Sequence, residues 1–286
     1  MRLKKFLAGI CAAGLLMTGC GGGSGGNDTK EPDSQGTIIK LGMISHLNAS
    51  EKQMEEYLFK VQEKSRAKVV NHVPVFYDNL NLMQMGLEAG NVDQISVYNC
   101  VANYLLANNN RYEVAKVDWI SGLEDNFCLA VRKDDSALKI ALDAVIGEMK
   151  SDGTLDNLVK KYIIDVDKGE SPPAIDIPKF DGAETIKIGV TGDLPPLDYV
   201  SADGKAAGFN TAMLAEVAKR LGKNIEIVNI DSGARAVALT SKQIDVIFWA
   251  IIPIGESLPA DIDTPEGVEL SAPYFKDEIS HLELKK

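Results

Sequence analysis

The sequence contains few of the residues that carry catalytic or metal chemistry, and it has a deficit of basic charge. There are three histidines and four cysteines in 286 residues, and 30 Lys and Arg residues stand against 41 Asp and Glu residues, a net charge of −11 at pH 7. Without a clustered basic face, a nucleic acid is not an expected partner. We find no zinc-ligand spacing, no nucleophile elbow and no carboxylate pair placed for acid–base chemistry, so no catalytic residue, metal or cofactor is predicted.

Long apolar runs are also scarce, and the clearest one is Phe6–Met17, between a short basic segment and Cys20. A charged segment followed by a short apolar run describes an export signal, and this run is too short to span a bilayer permanently. Residues 1–19 are therefore predicted to be a signal peptide. An uncleaved anchor helix is the alternative, but the helix-breaking glycines Gly21–Gly23 come directly after Cys20.

The position of Cys20 resembles that in bacterial lipoprotein signals, in which this cysteine becomes the lipidated N-terminus. Acyl chains on Cys20 would hold the protein to a bacterial membrane on its extracytoplasmic side, and residues 20–36 would form a flexible, Gly-rich tether. Two cysteines then remain in the folded part, Cys100 and Cys128. The oxidising compartment permits a disulfide between them, and two buried thiols are the alternative.

The stretch Thr185–Val228 shows how the rest of the chain is organised. Alternating apolar residues from Ile186 to Val190 predict a buried strand, which the prolines of the segment Gly192–Pro196 interrupt. Asn210 is predicted to be the N-cap, and Gly222 the C-cap, of the helix that follows. Strands alternate with helices in this way from residue 37 onward, which predicts an α/β protein with mostly parallel sheets.

Two short motifs are repeated along the chain. Residues 39–43, IKLGM, match residues 186–190, IKIGV, at an offset of 147 (186 − 39). Residues 92–95, VDQI, match residues 244–247, IDVI, at an offset of 152 (244 − 92). Two matches at nearly the same offset suggest two lobes of similar build, although matches this short also arise by chance.

Three segments resemble the type 3 periplasmic solute-binding proteins, the receptors of ABC importers for polar amino acids. They are the stretch from Thr185, residues 127–163 (FCLAVRKDDSALKIALDAVIGEMKSDGTLDNLVKKYI) and residues 270–275 (LSAPYF). The resemblance implies the two-lobed type II periplasmic-binding-protein fold, in which each lobe is a mostly parallel sheet flanked by helices and two hinge strands join the lobes. It also implies a monomer that carries a small-molecule solute to an ABC transporter permease.

The order of these segments differs from the order that the family uses. The opening of lobe 1 lies two thirds of the way along the chain, after the segment that normally ends the protein, which predicts a circular permutation. A tandem of two truncated receptors is the alternative, but it would leave each half without the other lobe. The predicted order is a lobe 2-like domain at 37–126, a hinge strand at 127–133, a lobe 1-like domain at 134–275 with a linker at 165–185, and a hinge strand at 276–286.

The resemblance implies that the solute lies between the lobes, against the loops that follow the strands. Asp193 is the strongest candidate, because packing poorly explains a carboxylate in a loop stiffened by prolines. Trp249 could belong to the core instead, His46 could be an exposed loop residue, and Tyr98 could cap the sheet. The predicted ligand-binding residues are Thr191, Asp193, Leu194, Ser232, Trp249, Ala250 and Ile252 of lobe 1 and Ser45, Asn48, Tyr98 and Asn99 of lobe 2, with His46 beside them.

The charged residues that this family uses for amino acids are missing here. Residues 251–262, IIPIGESLPADI, offer Ser257 but no arginine for a carboxylate, and residues 97–100, VYNC, offer no aspartate for an ammonium group. A buried zwitterion would lack both ionic partners, so the sequence predicts that the solute is not an ordinary α-amino acid. Two other functions remain open: a sensory or partner-presenting lipoprotein with a degenerate cleft, and an enzyme resembling the dehydratases and lyases of this fold.

Overall fold

The computed structural model describes residues 37–45, 51, 52, 54–56, 59, 70–116, 124–165, 172–201, 203–251 and 264–286. The predicted signal peptide and the predicted tether with Cys20 lie outside these residues, and so do three site candidates, His46, Asn48 and Ile252. None of the helices in the described part of the chain combines the length and the apolar character that crossing a membrane requires.

Strands and helices alternate along the described residues. The strands are β1 (Thr37–Ile44), β2 (Val70–Tyr77), β3 (Gln94–Tyr98), β4 (Tyr112–Val114), β5 (Glu124–Arg132), β6 (Thr185–Val190), β7 (Asp193–Leu194), β8 (Asp198–Val200), β9 (Ala206–Ala207), β10 (Asn224–Asn229), β11 (Val246–Ile251), β12 (Val268–Leu270) and β13 (Phe275–Leu284). The α-helices are α1 (Leu80–Glu88), α2 (Asn99–Asn108), α3 (Ser136–Ser151), α4 (Thr154–Val159), α5 (Phe209–Leu221) and α6 (Arg235–Thr240). A π-helical turn at Lys160–Ile164 continues α4, and a 3₁₀ turn at Ser232–Ala234 precedes α6.

Strands β5 and β13, the two segments predicted as hinge strands, lie side by side and antiparallel in the middle of a ten-stranded sheet. Their pairing joins residues 124–127 to residues 275–278. On one side of the pair lie β3, β1 and β2, with β4 also bonded to β13; we call residues 37–116 the first half. On the other side lie β11, β6 and β10, with β12 bonded to β5; we call residues 124–274 the second half.

Both halves have the same strand order and the same register. Parallel strands run in the order β2-β1-β3 in the first half and β10-β6-β11 in the second, and an antiparallel strand follows each set. Leu41 pairs with Gln94, and Ile188 pairs with Val246, at the sequence offsets of the repeated motifs. The aspartates of these motifs also make equivalent bonds: Lys40 N–H donates to Asp93 Oδ2 at 2.8 Å and Lys187 N–H to Asp245 Oδ2 at 2.9 Å. The repeated motifs therefore mark structurally equivalent positions.

The predicted α/β class with mostly parallel strands is confirmed. One cluster of buried apolar side chains continues through both halves and includes Met83 and Ile95 of the first half and Ile188 and Val246 of the second. Phe127 of β5 belongs to the same cluster, at the point where β5 meets β13. The core therefore extends across the junction of the two halves.

Helix α5 begins two residues earlier than the sequence predicted. Its N-cap is Gly208, with φ of 94°, and a Cβ at this position would lie 2.7 Å from the carbonyl oxygen of Leu197. The predicted N-cap Asn210 is therefore wrong: this residue lies inside the helix, where its side chain accepts a hydrogen bond from the Tyr274 hydroxyl at 3.1 Å. No side-chain cap is needed, because the N–H groups of Phe209 and Asn210 donate to the carbonyls of Pro196 and Leu197. The predicted C-cap Gly222 is confirmed, with φ of 61°.

Candidate functional site

The loop that follows β6 carries Asp193 into contact with the first half. Asp193 Oδ2 accepts a hydrogen bond from the backbone N–H of Asn81, in the first turn of α1, at 2.9 Å. The N-cap of α1 is Asn79, whose side chain accepts the N–H of Leu82 at 3.0 Å. The two side chains thus satisfy different N–H groups of one helix terminus. Burial raises the pKa of the Asp193 carboxyl, and the bond from Asn81 opposes that shift.

Ser232 makes a second connection between the halves. Its side chain is fully buried, its hydroxyl donates to the carbonyl oxygen of Asp78 at 2.8 Å, and its backbone N–H donates to the same oxygen at 3.1 Å. Asp78 immediately precedes the N-cap Asn79, so both connections reach the same end of α1. The predicted site residues Asp193 and Ser232 therefore lie against one segment of the first half, residues 78–81.

Beside these connections lies a cavity of about 490 Å³, between the 191–200 loop and helices α1 and α2. We call the region between this loop and the two helices the inter-half cleft. Carboxamides and tyrosines provide most of its polar lining, and Asp193 provides a carboxylate. The polar lining residues are Asn81, Gln84, Tyr104, Asn108, Asn109, Asp193 and Tyr199.

A second cavity, of about 370 Å³, adjoins the first and shares Tyr104 and Asn108 with it. The predicted site residue Asn99 lines it, together with Asn103 and Asp277. Asp277 Oδ2 accepts the backbone N–H of Cys100, in the first turn of α2, at 2.9 Å. A second helix terminus at the cleft is therefore bonded to one of the protein's own carboxylates.

Asp198 fixes the shape of the loop that carries Asp193. Its Oδ1 accepts hydrogen bonds from the Gly192 N–H at 3.0 Å and from the Thr191 hydroxyl at 3.3 Å. The side chain is 4% exposed, and this burial raises the pKa of Asp198 to about 6, although attraction to the buried Arg235 guanidinium opposes the shift. Thr191, which was predicted to contact the solute, thus donates to Asp198 and helps to hold the loop in shape.

Two buried charged residues at the junction were missed by the sequence reasoning. Arg235, the first residue of α6, is 1% exposed and donates to the carbonyl oxygen of Phe248 at 3.5 Å. Burial lowers its pKa, and the carboxylate of Asp198 opposes that effect. Asp125 of β5 is fully buried and accepts the hydroxyl of the predicted site residue Tyr98 at 3.0 Å. An arginine at a helix start and an aspartate in a strand resemble surface residues in sequence, so no local pattern identifies them.

Several predicted site residues lie in the core. Trp249 is 1% exposed and packs with Ala238 and Leu239 beneath α6, while Phe248 and Ala250 point to the opposite face of β11. The structure thus places Trp249 behind the sheet and away from both cavities. Leu194 and Ala250 belong to the core cluster, and Ser45 is buried, with its hydroxyl donating to Glu51 at 3.0 Å.

Cys100 and Cys128 are both buried as free thiols, so the disulfide alternative is not present in the structure. Burial raises the pKa of the Cys100 thiol well above its ordinary value, which suppresses the reactive thiolate form. Among the described residues, no group of three or more His, Cys, Asp or Glu side chains is arranged to bind a metal ion.

Comparisons with known proteins find similarity in part of the second half. Residues 186–256 match the family model described as bacterial extracellular solute-binding proteins, family 3. Similar curated proteins are the "Probable ABC transporter arginine-binding protein ArtJ" of Chlamydia trachomatis serovar D, 27% identical over 36% of this chain and 37% of that protein, and the "Arginine-binding extracellular protein ArtP" of Bacillus subtilis, 29% identical over 26% of this chain and 29% of that protein. The matched segments thus span about a third of the length of these relatives.

Among solved structures, the probable amino-acid ABC transporter extracellular-binding protein YtmK of Bacillus subtilis aligns with 88% of this chain and 86% of its own, at 8% identity and a TM-score of 0.41. The match to the family model begins at β6 and covers the loop with Asp193, helix α5 and the residues around Ser232. The resemblance that the sequence predicted is therefore confirmed over this segment: residues 186–256 match the family model described as bacterial extracellular solute-binding proteins, family 3.

Proposed function

We propose that the protein is an extracytoplasmic solute-binding protein that captures a small molecule between its two halves and delivers it to an ABC importer. The observation that carries this proposal is the cavity of about 490 Å³ in the inter-half cleft, which the 191–200 loop of the family-matched segment lines together with the first turn of α1. Cavities of a few hundred Å³ between two lobes are ordinary sites for small ligands. Two similar curated proteins are named as arginine-binding proteins, one of them of an ABC transporter.

The predicted circular permutation is part of this proposal. The beginning of β1 and the end of β13 line one cavity of about 520 Å³, to which Ile38, Ile39, Glu283 and Leu284 contribute. These two ends therefore lie close enough for a short connection. The equal strand orders of the halves and the pairing of β5 with β13 also support one receptor with two lobes, about residues 37–126 and 134–275, over a tandem of truncated receptors.

The proposed location is the outer face of a bacterial membrane. The charged and apolar segment before Cys20 supports export and lipidation, and residues 20–36 would tether a monomeric receptor near its permease. We expect no enzymatic activity, because the matched family model is one of solute-binding proteins and the described residues of the inter-half cleft include no acid–base pair with a nucleophile beside it.

A lipoprotein with a cleft that binds no solute is the second candidate function. The hydrogen bonds from Asn81 to Asp193 and from Ser232 to Asp78 favour it, because they join the halves directly. Such a protein would present its closed surface to a partner.

A thermal-shift screen tests the proposal. The mature protein is heated with amines, amino acids, organic acids, sugars and short peptides, and each hit is measured by calorimetry. We expect at least one class to raise the melting temperature, because a solute that binds only the folded state stabilises it. Absence of any shift across all classes would contradict solute binding and favour the second candidate. Conversion of a hit to a product over time would identify an enzyme.

A further inference from the structure

We propose that the solute is a small organic cation without a carboxylate, such as an amine or a guanidine, and that Asp193 binds its positive charge. This inference rests on the proposed function, since it names the class of solute for the same cleft. Three observations support it: the helix N-termini at the cleft are occupied by aspartates, the described cavity walls carry no cationic side chain, and one buried oxygen of Asp193 has no donor of normal geometry among the described residues.

Among the described residues, the helix N-termini at the cleft are those of α1 and α2, and both are already occupied. Backbone N–H groups at a helix N-terminus form the ordinary protein site for a carboxylate or phosphate. At α1 that position is taken by Asp193 Oδ2, which accepts the Asn81 N–H at 2.9 Å. At α2 it is taken by Asp277 Oδ2, which accepts the Cys100 N–H at 2.9 Å. A solute carboxylate would have to displace one of these aspartates and would meet its negative charge.

The lining of both cavities has acidic groups and carboxamides, and no lysine or arginine is found among the described residues that line them. The sequence extends this observation, because residues 46–50 (HLNAS) and 252–263 (IPIGESLPADID), which follow β1 and β11 in the chain, contain neither lysine nor arginine. The buried guanidinium of Arg235 lines neither cavity. It donates to Phe248 within the second half, and its charge also acts on Asp198 and Asp193. An anionic solute would therefore find no cationic side chain among the described residues of these walls.

A positive charge, in contrast, would find an available acceptor. Asp193 Oδ2 is used by Asn81, and the Leu80 N–H and the Thr191 hydroxyl also lie near the carboxylate and favour its charged form. Asp193 Oδ1, however, is buried and accepts no hydrogen bond of normal geometry from the described residues. A buried carboxylate oxygen without a donor is costly, and an ammonium or guanidinium N–H would satisfy it with a charge-assisted hydrogen bond. Tyr104 and Tyr199 line the same cavity and offer aromatic surface, which attracts cations.

Matched pairs of compounds provide the test. Agmatine and arginine, cadaverine and lysine, and histamine and histidine differ within each pair only by the carboxylate, and acetate and glutarate serve as anions. By calorimetry on the mature protein, we expect at least one amine to bind ten times more tightly than its amino acid. Tighter binding of an amino acid or of an anion would overturn the inference while leaving solute binding intact. If no compound of this set or of the broader screen bound, the proposed function itself would fail.

Two variants locate the charge. Asp193→Asn keeps an oxygen that can accept the Asn81 N–H but removes the negative charge, and Asp181→Asn is the control because Asp181 is exposed and lines neither cavity. We expect amine affinity to fall at least tenfold in Asp193→Asn and to stay unchanged in Asp181→Asn. Equal affinity in both variants would exclude Asp193 as the residue that binds the charge. The wild-type affinity should also weaken as salt is raised, a readout that needs no variant.

Discussion

Asp193 Oδ2 accepts the backbone N–H of Asn81 at 2.9 Å, a hydrogen bond between the second half and the first turn of a helix in the first half. The N-cap Asn79 already accepts the Leu82 N–H, so Asp193 satisfies another of the N–H groups that a helix leaves unpaired at its start. A carboxylate at this position also interacts favourably with the helix dipole. One side chain therefore both connects the halves and completes the cap of α1.

Replacing Asp193 should destabilise the protein by an amount that depends on whether the new side chain can accept the Asn81 N–H. We expect Asp193→Ala to lower the free energy of unfolding by about 1–2 kcal/mol, because the Asn81 N–H loses its acceptor and the helix loses a favourable charge. Asp193→Asn should cost less, since its oxygen still accepts the bond and removing the buried charge offsets part of the loss. Urea unfolding of both variants measures these values, and an unchanged Asp193→Ala would show that the bond contributes nothing.

Asp198 should make stability depend on pH. Its pKa is raised to about 6 from 3.8, so between these values the folded state binds more protons than the unfolded state. Stability should therefore fall as pH rises from about 4 to about 6, by about 3 kcal/mol at most. In Asp198→Asn this contribution should disappear, while the oxygen can still accept the bonds from Gly192 and Thr191. Unfolding free energies at pH 4.5 and pH 7.5 test this, and parallel changes in both proteins would contradict the assignment.

A disulfide should form across the junction in the double variant Asp78→Cys with Gly233→Cys. A Cβ at Gly233 would lie 3.1 Å from Asp78 Oδ1, and the neighbouring Ser232 already bonds to the Asp78 carbonyl. We expect an intramolecular bond that raises stability by about 2–4 kcal/mol under oxidising conditions. The measurements are mobility on non-reducing gels and the melting temperature with and without reductant. Each single variant is a control, and covalent dimers without an internal bond would show that the two positions are not adjacent.

Restoring the order of the family should give a folded protein. The rearranged chain has residues 185–286 first and residues 37–165 second, with a short Gly/Ser connection between them, because the start of β1 and the end of β13 line the same cavity. We expect cooperative unfolding and the same solute preference as the original chain without residues 1–36. Circular dichroism and thermal unfolding test this. A rearranged chain that stays unfolded while the original folds would remove the permutation proposal.

Cys20 should determine membrane attachment. In a bacterial host, we expect the wild-type protein to fractionate with membranes and Cys20→Ser to appear in the soluble extracytoplasmic fraction, because two or more acyl chains are needed for stable anchoring. Immunoblots of the fractions measure the distribution, and Cys11→Ser serves as a control within the predicted signal peptide. Retention of Cys20→Ser on the membrane after signal removal would contradict lipidation at this residue.

The features that depend on periodic burial could be predicted from the sequence. Ile186, Ile188 and Val190 lie buried in β6 as their alternation indicated, and the repeated motifs occupy equivalent positions because the same strand pairing requires them. The position of Trp249 could not be predicted, since β11 is apolar on both faces and alternation cannot decide between them.

The partners of the site residues were also beyond sequence reasoning. Asp193 was identified from its loop, but its partner is the backbone N–H of Asn81, and Ser232 bonds to the backbone carbonyl of Asp78. Backbone groups are the same at every residue, so no side-chain pattern reveals which of them faces a distant loop. Asn81 and Asp193 are 112 positions apart in the sequence, and Asp78 and Ser232 are 154 positions apart. Only the fold shows that these residues are in contact.

Strand β13 passes from one half to the other within a single residue step. Glu278 is the last residue paired with β5, and Ile279 is the first paired with β3. A rotation of the halves against each other would therefore twist the backbone between Glu278 and Ile279. Asp277 lies beside this step, and its carboxylate accepts the Cys100 N–H in the first turn of α2. If the halves rotate as the proposed function requires, Asp277 would therefore connect the twisting step of β13 to α2 and to the cavity that Asp277 lines.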